Sequence, residues 1–593
     1  MVDLPEDELL DLLDAAVRAG ILVEVASAPG RYSFVHALLR TTLEQEQTAT
    51  RRARLHRRIG EAIEGARRER LDPWLGELAR HFLAAAPEEV DRAVTYSVRA
   101  AEQAAGRLAY EEAVDLLEAA VAARERDEPV DEEERARLLN LLAAALWRAG
   151  RWEDARAGYA RAANAARQAD AATLFAEIAL GHSGGEWDLY GIEDPDSVAL
   201  LEEAIDRLPA EDSALRAQSM ARLSSVLYYS PDSEQRVPGL VGGAVEMARR
   251  SGDPAALVAA LAAAQYSLWR PGEAEPRLQI ANELVQLAER IGSLQVAANA
   301  HAWRAFSLLE LCRLDEADAD LRAHAALAER LQQPQMLVHQ LALRSMRALL
   351  EGCWEEGERT AGEVFELGER FQAAGRSPTP IHLQDYGVEM IALRNEQDRM
   401  GELTGYFERL VREIGAVPGW RSAVIWSHVQ GGRIERARAE LDELRRDGFA
   451  VLPRDTNFIP SLTVVSHVAG ELGDATLAGE VEPLLRPYSE TWVVLGPGPA
   501  TLGPVAYCLG LLLLVQGEAD AAVKRLETAL EKCLLMRARP YEARSRFSLS
   551  QALRQRDAAG DVARAETLEG EARALAEELG MSRLRRELDA VRA

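Results

Sequence analysis

The feature that most constrains this chain is a recurring grid of small and large apolar residues laid over pairs of helices. With Ala136 as the first grid position, Leu142, Ala143 and Leu146 take the apolar places of a first helix, Gly150 makes the turn and Trp152 fills an aromatic slot. Ala155, Tyr159 and Ala162 then follow at i, i+4 and i+7, on one face of a second helix. A small side chain at the first of these lets the two helices come close, and the large one fills the groove beyond. The same grid falls on Leu509, Gly510, Leu513, Gly517, Ala522, Leu526 and Ala529. Weaker copies stand at Tyr110, Ala113, Leu117 and Ala120; at Leu314, Ala317 and Leu321; at Gly352, Trp354 and Gly357; and at Gly432, Ile434, Ala437 and Leu441.

One copy would be an ordinary amphipathic helix, but several in one chain predict an all-α, tetratricopeptide-like superhelix of helical hairpins. At ~34 to 40 residues per pair, the 593 residues accommodate roughly fourteen pairs. Composition agrees, because 48% of residues are hydrophobic but only 6% aromatic, and an interior of Ala, Leu and Val suits close-packed helices. Breaks fall at Asp127-Glu128-Pro129, His182 to Pro195, Tyr228 to Pro238, Gly375 to Pro380, Leu452 to Pro460 and Gly496 to Pro504. No pattern of another period follows any of them, so they read as enlarged inter-helix loops, and none as a domain boundary.

Only the first residues depart from this plan. Glu8 to Ala19 carries a helical apolar pattern stopped by Gly20, and Ile21 to Val25 and Tyr32 to Val35 flank Pro29-Gly30 as a β-hairpin. Helix, hairpin and a new helix from His36 form the back end of a winged-helix unit. This predicts a partial winged-helix segment over residues 1–45 and a repeat array over 46–593, with strand confined to Ile21 through Val35.

The 69 basic and 96 acidic residues give a net charge of −27, a field that opposes binding to phosphate backbones or anionic membranes. Only two basic residues are lysines, Lys524 and Lys532, and neither lies in the Gly-Lys-Ser/Thr context of a P-loop, so no direct ATP binding is expected. Cys312, Cys353, Cys508 and Cys533 are far apart and read as buried or half-buried thiols. The acidic Met1-Val2-Asp3-Leu4-Pro5-Glu6 is unlike a signal peptide, and Val505 to Val515 is too short to span a membrane. A cytoplasmic protein is the expectation.

At its N-terminal end the sequence resembles a known junction. Phe34-Val35-His36-Ala37-Leu38-Leu39-Arg40, Leu55-His56-Arg57-Arg58-Ile59, Glu77-Leu78-Ala79-Arg80-His81-Phe82 and Tyr110-Glu111-Glu112-Ala113 are similar to the region after the ATPase core in large bacterial regulators. These are the LuxR-type and cyclase-linked ATP-binding regulators of the STAND class, signal-transduction ATPases with numerous domains. The likeness continues through Leu452-Pro453-Arg454-Asp455, Leu472-Gly473-Asp474, Leu485-Arg486-Pro487-Tyr488 and Ala543-Arg544 to Leu579-Gly580-Met581. In that family a P-loop ATPase precedes this region, and some members end in a DNA-binding helix-turn-helix. This sequence starts inside the winged helix and stops after Arg585-Arg586-Glu587-Leu588 with no such module. The resemblance therefore implies only the sensor and interaction arm.

Three features invite sharper claims. Gly181-His182-Ser183-Gly184-Gly185 spells a G-x-S-x-G nucleophile elbow, but helix-like sequence precedes it where a strand is needed, so Ser183 reads as an exposed loop serine. Arg51 to Arg70 holds eight arginines against three glutamates and reads as a solvated face paired with neighbouring acids. Glu77 and His81 share one helix face but supply too few ligands for a metal. Gly496-Pro497-Gly498, with Thr501 where a dinucleotide fingerprint needs glycine, reads as a turn.

No catalytic, cofactor-binding or metal-binding residue is assigned. The expected function is a non-enzymatic sensor and scaffold that captures a protein segment or effector on its concave face. The alternatives are a stand-alone adaptor with no ATPase and, from the enzyme class, a serine hydrolase at Ser183.

Overall fold

The computed structural model describes residues 5–592 apart from 26, 37–38, 40, 44–45, 87, 128, 185–193, 231, 374–380, 414–418 and 497. The chain forms two compact units, residues 1–182 and 183–593. Their boundary falls at the start of the His182 to Pro195 stretch, correcting its reading as an inter-helix loop that marks no boundary; most of that stretch lies outside the described residues.

The grid is realised as close helix contacts. Helix Glu132–Arg148 starts on Asp131, whose carboxylate accepts from the backbone N–H groups of Glu133 and Glu134 at 3.0 and 3.1 Å. It buries Ala136, Leu139, Ala143 and Leu146. Gly150, at φ +80°, turns the chain into helix Trp152–Gln168. There a Cβ on Gly158 would stand 3.1 Å from that of Ala143. Tyr159 reaches onward to helix Ala172–His182, where a Cβ on Gly181 would come within 2.7 Å of its ring.

The second strong copy behaves in the same way. Helix Val505–Gln516 ends at Gly517, and helix Ala519–Leu535 buries Ala522, Leu526 and Ala529 completely. A Cβ on Gly510 would lie 2.4 Å from Leu526 Cγ, so the pair meets at a point where one side chain must be absent. Among the weaker copies, Ala113, Leu117, Ala120, Leu314, Ala317, Ala437 and Leu441 are buried. Gly357 likewise sits against Leu349. The chain is thus an all-α array of tetratricopeptide-like hairpins, and no helix among the described residues is long and apolar enough to cross a membrane.

At the start of the first unit, helix Glu6–Arg18 leads through Gly20 into strands β1 (Leu22–Glu24) and β2 (Tyr32–Phe34), paired antiparallel with Leu22 opposite Phe34. The helix expected from His36 falls partly outside the described residues. None of the residues of Glu6–Arg18 is buried.

One expectation is corrected: strand is not confined to Ile21 through Val35. In the second unit, β3 (Trp492–Leu495) and β4 (Ala500–Pro504) form another antiparallel hairpin where an inter-helix loop was read. Every residue of both strands is buried, so the polar–apolar alternation that advertises a strand is missing.

Substitutions at the close contacts should be costly. Ala522→Trp and Gly510→Val are each expected to lower the unfolding free energy by ~1–3 kcal/mol through overpacking. Gly570→Ala, at an exposed helical position with open space around it, should be neutral or stabilise by up to ~1 kcal/mol. Chemical denaturation of the three variants checks the register.

Candidate functional site

The hairpin β3–β4 organises the interior of residues 183–593. Trp492 and Val494 point into an aromatic core with Tyr228, Tyr266, Trp269, Trp303 and Phe306. Val493 and Leu495, on the opposite face, join a larger core that includes Trp420, Leu462 and Val505. The period of two along the strand therefore distributes side chains between two apolar masses instead of between core and water.

Two glycines make this insertion possible. Gly498 has φ +86° and lies where a Cβ would come within 2.3 Å of Phe306, while Gly503 has φ +78° and would place one 2.5 Å from Tyr541.

Ion pairs bind distant helices of the same unit together. Arg544, on helix Arg539–Arg556, makes a bidentate bridge to Glu396 at 2.6 and 2.8 Å, with both side chains 7% exposed. Arg583, on helix Ser582–Arg592, meets Glu471 at 2.6 Å and donates to Glu587 and Asn395, both at 2.9 Å. Glu471 also accepts from the Trp426 indole N–H at 2.6 Å. The imidazole of His467 is stacked 4.8 Å from Trp426. Burial, together with the Arg544 and Arg583 charges, holds it neutral with its pKa down at about 3.

Beside this network lies the candidate binding site, a cavity of about 550 Å³ including its mouth. Its walls are Val388, Ile391, Trp420, Val464 and Leu495. Gln384, Asp385, Asn457 and Ser461 supply polar atoms. The Trp420 indole N–H donates to Gln384 Oε1 at 3.3 Å, which fixes the ring. Helix Ile381–Glu396 carries both Asp385 and, one turn on, Glu389. Burial pushes the Asp385 carboxyl up to about 7 and, with Asp385 beside it, pushes Glu389 well above the carboxylate range. The nearby Ser345 hydroxyl donates to the Gly357 carbonyl at 3.1 Å, so its proton is committed elsewhere.

The residues singled out in the sequence lie apart from this cavity. Ser183 is buried, at 2% exposure, correcting its reading as an exposed serine. Its hydroxyl accepts from Arg222 Nε at 3.0 Å, and Arg222 also donates to its carbonyl. Helix Ala172–His182, not a strand, precedes it, and Gly185 lies outside the described residues. An elbow requires a strand entering the serine, so the hydrolase alternative loses its geometric basis.

His81 is buried, with Nδ1 2.8 Å from His56 Nδ1 and its pKa lowered to about 4 by burial, Arg80 and His56. Glu77 stands 3.9 Å away, and no group of three potential ligands is found among the described residues. In the basic run, Arg57 faces Glu88 at 3.2 Å and Arg67 lies over the Trp74 ring at 5.0 Å. Lys532 is bound to the Glu490 carbonyl at 2.9 Å. Cys508 and Cys533 are buried, with thiols pushed up to about 12 by burial; Cys353 is exposed, unlike the expectation for it. Pro497 of the Gly-Pro-Gly turn lies outside the described residues, while Thr501 is paired with Val494 in the hairpin.

No family model matches the chain, and no curated protein matches it. Solved structures that align with it include the crystal structure of yeast Tom70, at 11% identity over 81% of this chain and 100% of that one, with a TM-score of 0.30. The APC/C hetero-tetramer Cut9-Hcn1 aligns at 13% identity over 82% and 95%, with a TM-score of 0.27. A circular tandem repeat protein aligns at 15% identity over 87% and 98%, with a TM-score of 0.10. At these scores the alignments carry no weight for function.

Two outcomes follow from the geometry. Ser183→Ala should cost ~1 kcal/mol, because Arg222 loses an acceptor in a buried setting; a smaller change in denaturation midpoint would deny the bond. The raised carboxyl of Asp385 contributes stability that is present below its unfolded pKa near 4 and is lost as pH rises through about 7. Asp385→Asn should therefore gain stability relative to wild type between pH 5 and pH 8, by ~1–3 kcal/mol, measured as the difference between paired urea titrations.

Proposed function

We propose that this chain is a non-enzymatic interaction scaffold, the sensor arm of a STAND-like regulator, in which residues 46–593 capture a protein segment or effector and residues 1–45 pass the event to an ATPase module. One observation carries the reading. Leu10 and Val17, seven apart on one face of helix Glu6–Arg18, and Val23 and Val35, on one face of the hairpin, are all exposed. An apolar face gathered on so small a segment is stabilised by docking against another surface. The sequence resemblance at Phe34 to Arg40 supports an ATPase as that surface.

In the second unit, hairpin β3–β4 packs against helices Leu294–Glu310, Pro334–Glu351 and Ile381–Glu396, and its side chains fill the space beside them. Small-effector capture beside the hairpin therefore suits residues 183–593 better than capture of an extended peptide. The stand-alone adaptor differs only in lacking an ATPase, and reading the coding DNA upstream of Met1 separates the two. An in-frame Gly-Lys-Ser/Thr favours the regulator, and a stop codon favours the adaptor.

The exposed face gives a test on the purified protein. The double variant Leu10→Glu, Val23→Glu should lose most of the binding of an apolar fluorescent dye and keep the thermal midpoint of the repeats, since exposed positions usually cost within about 0.5 kcal/mol. A midpoint lowered by many degrees would mean that the face belongs to the chain's own core. Calorimetry with magnesium and ATP should give no saturable heat, for want of a glycine-rich phosphate loop with its lysine.

A further inference from the structure

We infer that the cavity lined by Asp385 and Trp420 in the second unit binds a small organic ammonium ion carried on an apolar or aromatic body. This deepens the sensor reading and rests on it only for what the binding event would signal.

Asp385 is 5% exposed and lines the cavity, and among the described residues it has no hydrogen-bond donor and no basic partner. Carboxylates this deep are ordinarily paired, because burying one alone is costly. The neighbouring titratable group on the same helix is another acid, Glu389, itself fully buried. His382, on the same helix, is engaged at 2.9 Å by Glu369, and the Tyr406 hydroxyl donates to the Leu383 carbonyl. Among the described residues, the cavity thus presents an acidic group to a space that no arginine, lysine or histidine lines.

The walls narrow the class of ligand. Trp420 is held by its bond to Gln384 and stacks on Phe407 with centroids 6.0 Å apart, so it offers a rigid indole to a cation. Val388, Ile391, Val464 and Leu495 favour a hydrocarbon or aromatic body over a sugar or phosphate. Asn457 and Ser461 add polar atoms to an otherwise apolar lining. A bare metal ion is poorly served by a single lining carboxylate. The chain's net charge of −27 raises the local concentration of cations and lowers that of anions.

The test compares three probes of one shape on the full chain by calorimetry: 2-phenylethylammonium, 2-phenylethanol and 3-phenylpropionate. The ammonium should bind saturably with one-to-one stoichiometry, about tenfold or more tighter than the alcohol, and the carboxylate should not bind. Asp385→Asn, confirmed as folded by its melting curve, should abolish the preference for ammonium over alcohol. Trp420→Leu should weaken the ammonium by about threefold to tenfold, the worth of a cation–π contact. Absence of saturable ammonium binding to folded wild type, equal binding of alcohol and ammonium, or an unchanged preference in Asp385→Asn would each overturn the proposal. These outcomes read a cavity lined from Gln384 to Leu495, whereas the Leu10→Glu, Val23→Glu variant reads residues 6–35, so either idea can fail alone.

Discussion

The architecture depends on helices approaching one another where a side chain is missing. Gly158 against Ala143, Gly357 against Leu349 and Gly510 against Leu526 are points at which paired helices touch: an added Cβ would stand 3.1 Å from that of Ala143 at the first and within 2.5 Å of a leucine side chain at the other two. The alanine-rich composition follows from this geometry. Close axes bring backbone to backbone and gain dispersion contacts along the whole helix, compensating for the modest apolar area each Ala buries. Long side chains such as Tyr159 then bridge to the next helix, passing the packing from one hairpin to its neighbour.

The second unit adds contacts that a simple stack of repeats lacks. A solenoid is held together by nearest neighbours. Here Arg544 reaches Glu396 across 148 residues, Arg586 reaches Asp398 across 188, and the Trp354 indole N–H donates to the Leu579 carbonyl across 225. The buried Arg544–Glu396 bridge is satisfied by two parallel hydrogen bonds, the geometry in which such a pair recovers most of its desolvation cost. Apolar packing supplies the rest: a Cβ on Gly352 would lie within 2.9 Å of Leu579.

The repeat grid was legible because it follows from local spacing. Ala136 and Ala143 on one helix and Ala155, Tyr159 and Ala162 on the next read as buried and are, since i, i+4 and i+7 fix a helix face whatever else the chain does. The hairpin Trp492–Pro504 escaped because both its sides are covered, one by Tyr266, Trp303 and Phe306 far back in the chain and the other by a core that includes Trp420 and Leu462, which erases the alternation a strand ordinarily displays. Ser183 was misread as exposed for a related reason: its cover includes Arg222, thirty-nine residues on. Asp385 and Glu389, four apart on a helix, have the spacing of a solvated acidic edge. Only the arrival of Trp420, Val464 and Leu495 encloses the cavity beside them, and nothing in Gln384-Asp385-Tyr386-Gly387-Val388-Glu389 announces that.

The position of β3–β4 between two cores has a consequence for how the second unit is made. Trp303 and Phe306 leave the ribosome almost two hundred residues before Trp492, the side chain that completes their shelter, and Tyr266 leaves it earlier still. At ordinary elongation rates that interval is roughly ten to forty seconds. Throughout it, a cluster of large aromatic rings on an otherwise alanine-lined array waits uncovered. Synthesis from one end of the chain therefore cannot finish this unit step by step. Its middle stays incomplete until the hairpin emerges.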